Sequence, residues 1–367
     1  MTLDLTPYVI AWRTTPLRDR EVVDALIHPA HAGPSEALDR ALRGWEGSYY
    51  WSDEPGGRWL VLTRPRPATG ERWWLHALLF LATLATTTLA GAVLAGAMED
   101  SFAPFRGRLG VTAAFLHSWS AGLQFSLPLL AILLAHEMGH YVTAKRYQLD
   151  VSPPYFIPMP ILSFIGTLGA FIRLRTILSD RRQLFDVGFA GPIAGFVVAV
   201  PVLLLGLALS HPVSPHEGVS GMMLLVGADR IPLGDSPVTL LARWAVRGDL
   251  GPVAIHPLAF AGVIGMFVTM INLMPMAQLD GGHVLYATVP RWHRRVALVF
   301  WVVVLGLGRW WAGWFVWAGL VLLVSRGRLD HPVVLDAYRP LPRSRRRLAW
   351  AALALFLLTF APAPFRL

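Results

Sequence analysis

An apolar run that begins near Trp119 ends in Ala131-Ile-Leu-Leu-Ala-His136-Glu137-Met-Gly-His140, and no other stretch restricts the chain as much. A His-Glu-x-x-His signature presents two imidazoles four residues apart, which a helix puts on one face, with a carboxylate beside them. Zinc is the usual metal for such a pair, and Glu137 is placed to work on a bound water. Ionisable side chains cost roughly 2.5–3.5 kcal/mol at the centre of a membrane helix and are rarely found there without a function. The plainer alternative is three polar residues satisfied by neighbouring helices, or frayed into the interface.

Hydrophobic residues make up 54% of the 367, and charged residues 15%, the balance of a polytopic membrane protein. Lys+Arg total 32 against Asp+Glu 23, an excess that in a membrane protein marks cytoplasmic loops, so no nucleic-acid partner is expected. With Cys 0, thiolate ligands, disulfides and cysteine catalysis are excluded, and any metal must be held by His, Asp, Glu, Asn or water. The N-terminus lacks a basic region followed by an apolar core, so the first transmembrane helix is expected to serve as the targeting signal.

Residues 1–70 differ from the rest. Arg18 to Arg43 is charged with scattered Ala and Leu, while Ser48–Trp51 and Arg58–Leu62 alternate like strands, which predicts a small cytosolic α/β domain closed off by Pro65 and Pro67. Trp73 to Met98 is the first expected span, with Glu99 and Asp100 at its far interface and Arg58, Arg64, Arg66 and Arg72 before it on the cytoplasmic side. The second, Trp119 to Tyr141, returns to Lys145-Arg146 and so puts the His-Glu-x-x-His near the cytoplasmic leaflet. The segment 153–175 is too apolar for a free loop and too rich in Pro and Gly for a helix. It is expected to form a small membrane-associated sheet with an edge facing the active site.

The third expected span is Phe185 to Leu209, where Gly188, Gly191 and Gly195 permit close helix approach. Residues 210–255 read as extracytoplasmic. The fourth span runs inward from His256 past Asn272 and Pro275 to Asp280, with Pro275 and the following Gly pair allowing a bend. Val296–Gly308 and Trp311–Val324 are each short of the ~20 residues of a straight span and read as a re-entrant or tilted hairpin. Leu348–Ala361 is a short last span. The fold class is thus mainly α: a polytopic helical membrane domain (71–367, about six spans) with a membrane-associated β segment, after the small N-terminal unit.

A third metal ligand must come from Asp150, Asp180, Asp186, Asp280, His256 or His283, because no Glu occurs between Glu137 and Glu217 and the metzincin pattern fails at Thr143 and Arg146. Depth discriminates among them. His256 opens its span at the far face, whereas Asp280 lies late on an inward-running span, as His136 and His140 do; Asp186 and His283 remain as weaker candidates.

The pairing of His136-Glu137-x-x-His140 with Asn272-x-x-Pro275-x-x-x-Leu279-Asp280-Gly281-Gly282 resembles the site-2 protease family of intramembrane zinc metalloproteases. Phe185-Asp186-Val-Gly188-Phe-Ala190-Gly191-Pro192-Ile-Ala194-Gly195, Gly166-x-x-Gly169 and Tyr155-Phe-Ile-Pro158 look like the branch that includes plastid members, without a PDZ insertion. The resemblance covers roughly residues 70–367. It implies a zinc metalloendopeptidase that cleaves transmembrane segments of single-span membrane proteins near the cytoplasmic face. In that reading His136, His140 and Asp280 bind one Zn2+, Glu137 is the general base, and Asn272 binds substrate or stabilises the oxyanion.

An edge near Gly166, Gly169 and Phe171 would hold the unwound substrate by strand addition. Gly139 and the small residues of the fourth span would let the two metal-bearing helices meet. The expected setting is a bacterial cell membrane with the N-terminus cytoplasmic. The rival readings are a metal or proton transporter and a non-catalytic membrane chaperone. The first predicts ionisable residues spread through the bilayer depth, and the second has no need of Glu137.

Overall fold

The computed structural model describes residues 5–16, 20–45, 47–54, 56–65, 71–94, 110–147, 149–160, 163–175, 178, 180–213, 221–226, 229–331 and 340–365. The chain divides into two compact units, Met1–Glu71 and Arg72–Leu367.

The first unit is a four-stranded antiparallel sheet in the order β1-β2-β4-β3, from β1 (Val9–Pro16), β2 (Arg20–Ile27), β3 (Ser48–Glu54) and β4 (Gly57–Pro65). Helix α1 (Glu36–Leu42) is capped by the Ser35 hydroxyl, which accepts from the Leu38 amide, and lays Leu38 and Leu42 on Ala25, Ile27, Leu60 and Leu62. The sequence shows β3 and β4 by alternation. It hides β2, whose Val22, Val23, Ala25, Leu26 and Ile27 put apolar side chains on both faces and so break the period of two.

In the second unit, among the described residues, α2 (Trp73–Leu94), α3 (Gly110–Arg146) and α4 (Arg181–Ala208) are the helical elements that carry apolar segments long enough to cross a membrane; in α3 that segment is Trp119–Arg146. Met98, Glu99 and Asp100 of the first expected span lie outside the described residues. Helix α3 begins well before Trp119, and α4 begins four residues before Phe185, where the Asp180 carboxylate accepts from the Gln183 amide at 2.8 Å. Thr88 and Ser126 share a hydrogen bond of 2.8 Å between α2 and α3, beside Gly91 and Gly122.

Strands β5 (Tyr155–Pro158) and β6 (Thr167–Phe171) form an antiparallel ribbon that continues through Val151 opposite Leu174. Its turn is held to α2, where the Thr86 hydroxyl donates to the Gly166 carbonyl at 2.7 Å. Among the described residues no third strand pairs with β6.

Residues 210–255 are not a simple loop. They contain β7 (His211–Pro212), β8 (Met222–Val226), β9 (Asp229–Pro232), α5 (Pro237–Arg247) and β10 (Val253–Ala254), with strand order β7-β10-β8-β9. Arg243 is 1% exposed at its centre, bonded to both Asp235 oxygens and to the Leu250 and Gly251 carbonyls.

The fourth expected span is broken in two. Helix α6 (Pro257–Asn272) stops, Leu273–Leu279 is non-helical, and α7 (Asp280–Thr288) starts afresh. Pro275 has no amide for a helix, and Ala277 takes φ +49° while its amide donates to the Leu329 carbonyl at 3.1 Å. Helices α8 (His293–Leu307), α9 (Gly313–Val324) and α10 (Arg343–Thr359) complete the bundle. The last takes in the arginine cluster, and Arg345 bonds both oxygens of Asp186 at 3.0 Å.

Candidate metal centre

Because α3 stays helical to Arg146, His136 and His140 project from successive turns of one face, their rings 4.8 Å apart and edge-on. The His140 ring is oriented by its Nδ1, which donates to the Val187 carbonyl at 2.7 Å and leaves Nε2 facing the centre. From the other side of the break, Asp280 at the start of α7 brings Oδ2 to 3.2 Å from His136 Nε2 and 3.4 Å from His140 Nε2, with the two Nε2 atoms 3.1 Å apart. Four-coordinate zinc with bonds of roughly 2.0–2.1 Å has ligand atoms about 3.3–3.4 Å apart, so this triangle fits that ion closely. Among the described residues it is the one group whose three donor atoms all lie within 4.8 Å of one another.

The space for this triangle is made by α4. A Cβ on Gly191 would stand 2.0 Å from His140 Nε2, and one on Gly195 would stand 3.2 Å from the His136 Cβ. These glycines therefore seat imidazoles, where the sequence suggested only close helix approach. Gly139 does serve close approach, but against Ala190 and Ala194 of α4 instead of the fourth span; Ile132 and Gly265 make that other contact.

A cavity of about 260 Å³ opens onto the triangle, lined by Glu137, Asn272, Asp280, Phe171, Ile172 and His283 among others. Glu137 is 7% exposed, with the backbone of Ile172, just past β6, hydrogen-bonded to it. Asn272 Nδ2 lies 3.2 Å from His136 Nε2. Phe171 is exposed at the cavity mouth, and a Cβ at Gly169 would meet nothing within 4 Å. Gly166 is not on the cavity wall. Its φ of +80° and its contact with Thr86 make it part of the turn, because a side chain there would collide with the α2 backbone at 2.3 Å.

The other ligand candidates are engaged elsewhere. Asp150 pairs with Arg175, Asp180 caps α4, Asp186 holds Arg345 and the Tyr147 hydroxyl, and His256 caps α6. His283 borders the cavity but turns Nδ1 away to His331 at 2.7 Å. Neither the Val187 carbonyl nor the seats at Gly191 and Gly195 are legible as site elements in the sequence. Their only trace in the sequence is the close spacing of Gly188, Gly191 and Gly195 at the start of an apolar helix.

Helices long and apolar enough to cross a membrane, a His-His-Asp triangle that could hold a metal with both imidazoles buried, and an adjacent Glu together describe a membrane protein with a candidate metallopeptidase centre. The chain belongs to Peptidase family M50, whose profile residues 124–305 match. It is 35% identical over 172 residues to the probable zinc metalloprotease EGY1, chloroplastic, of Oryza sativa subsp. japonica, covering 45% of this chain and 28% of the relative. To the protein of the same name in Arabidopsis thaliana it is 36% identical over 163 residues, 44% of this chain and 29% of the relative. To the probable zinc metalloprotease EGY2, chloroplastic, of Arabidopsis thaliana it is 28% identical over 210 residues, 56% and 36%. The chain thus spans about a third or less of the length of these curated relatives. No solved structure matches it significantly.

Proposed function

We propose that this chain is an intramembrane zinc metalloendopeptidase that cuts single-span membrane proteins within or next to their transmembrane segments, at the end of the bundle where the basic loops gather. The observation that carries this reading is the fit of the His136, His140 and Asp280 donor atoms to a tetrahedral ion with Glu137 beside them in one cavity. The names of the relatives point the same way.

Held by those three side chains, zinc would supply Lewis acidity, polarising the scissile carbonyl and lowering the pKa of the attacking water toward ~7. Glu137 takes the proton from that water and passes it to the leaving nitrogen. Asn272, on the cavity wall, offers its amide N–H to the substrate carbonyl as charge develops on the oxygen. A helical substrate hides its carbonyls in internal hydrogen bonds, so it must unwind first. The unpaired edge of β6, at Gly169 and Phe171, can then receive the extended strand by backbone pairing. Gly166 takes part only by fixing the turn. The relatives' names specify the chloroplast, which speaks against the bacterial membrane expected from sequence; the proposal keeps the multi-pass topology and the cytoplasm-like side for the N-terminus.

The test compares the unaltered protein with Glu137→Gln on a panel of single-span substrates in detergent with zinc. Cleavage should fall by about 10²–10⁴-fold at equal zinc content. Equal cleavage by the two proteins would sink the mechanism.

A further inference from the structure

Next to the metal centre, on the far side of α7, three more imidazoles meet from three separate segments. His283 lies one turn into α7, His293 opens α8, and His331 follows α9. The His283 and His331 rings are 4.9 Å apart and nearly perpendicular, at 80°. This repeats the spacing of the His136–His140 pair, 4.8 Å and 69°. The His293 ring stands 5.9 Å from His331 at 78°.

An independent observation points to a ligand. His293 is 2% exposed, and its Nε2 is buried without a hydrogen-bond partner. The ring's hydrogen bond to the Gly282 backbone therefore belongs to Nδ1, which fixes the proton there and leaves a bare lone pair on Nε2. A buried nitrogen without a partner is costly, and a histidine whose Nδ1–H is held by a backbone carbonyl is arranged as metal-ligating histidines are. His140 has the same arrangement through Val187. Tyr286 stacks on His331 at 4.5 Å and helps hold that ring in place.

We propose that His283, His293 and His331 form a second metal site, which takes a divalent d-block cation with affinity for imidazole, zinc first among them. Three neutral imidazoles suit zinc, copper or nickel and give no advantage to calcium or magnesium. His283 Nδ1 and His331 Nε2 lie 2.7 Å apart, a hydrogen-bond distance that an ion held by both would open to roughly 3.3–3.4 Å. The donor atoms of the three rings do not all lie within 4.8 Å of one another, so the His293 ring must also swing in to complete a set with bonds of roughly 2.0–2.1 Å. Water or the Asp330 carboxylate, whose charge reaches His293, would be the fourth ligand. An ion there would tie the segment after α9 to the helix whose first residue is Asp280.

Metal counting tests this without reference to proteolysis, so it stands apart from the enzymatic reading. The full-length protein in detergent is stripped with a chelator, reloaded with Zn2+, freed of excess ion and analysed by elemental mass spectrometry. Two ions per chain are expected in the unaltered protein, and one each in His331→Gln and in the double variant His136→Gln/His140→Gln. His331→Gln keeps a hydrogen-bonding group for His283, and His293→Asn probes the same site without touching the His283–His331 bond; it too should hold one ion. One ion in the unaltered protein, or two in both His331→Gln and His293→Asn, would overturn the proposal and leave the histidine pair as a hydrogen bond only.

Discussion

The two pieces of chain that meet at the metal centre are built in opposite ways. Helix α3 supplies two donors from uninterrupted helix, so four-residue spacing alone aims them together. The stretch Asn272–Asp280 supplies one donor from broken backbone: α6 ends, Pro275 and a left-handed Ala277 turn the chain, and α7 starts at the donor residue itself. Regular structure fixes its donors by periodicity. The irregular stretch fixes its donor by packing, since Met274, Met276 and Ala277 are all buried and Gly281 and Gly282 lie against the carbonyls of residues 273–277.

If both pieces serve one ion, removing a donor from either should have the same large effect. His136→Ala and Asp280→Ala are each expected to lower cleavage by about three orders of magnitude or more and to remove the metal of this centre, read by elemental analysis and substrate turnover. A difference between them would break the symmetry and reduce the loop carboxylate to an accessory. The next effect separates the pieces by stability. A Cβ on Gly281 would stand 1.9 Å from the Leu273 carbonyl oxygen, a backbone atom that cannot swing aside. Gly281→Ala should cost about 3 kcal/mol and lower the melting temperature in detergent. The smallest effect concerns Ala277. Glycine would relieve left-handed strain at the expense of backbone entropy, so Ala277→Gly should change stability by no more than about 1 kcal/mol in the same melting assay. A large loss would mean that the alanine methyl, not the backbone path, holds this turn.

This contrast also explains what could be read in advance. The pair on α3 is legible because helical periodicity turns a sequence spacing directly into a geometry. Asp280 could be singled out by depth in the bilayer, but the break before it could not, because Pro275 permits either a bend or a full stop and the Leu329 carbonyl that receives Ala277 is distant in sequence. The imidazole seats at Gly191 and Gly195 were hidden for another reason: small residues in a membrane helix announce that something comes close without saying what. The strands and helix within 210–255 gather around a buried Arg243, whose partners Asp235, Leu250 and Gly251 form no periodic pattern.

The open side of β6 has a bearing on how the protein sits in lipid. Unsatisfied peptide groups facing hydrocarbon would each cost several kcal/mol, and no third strand covers this one among the described residues. If that edge lies at membrane depth, the groove beside it must stay hydrated, drawing a wedge of solvent inward and pinching the leaflet locally. Hydration would then be standing equipment, and an arriving helix would begin to lose its own turns at a wet boundary already in place.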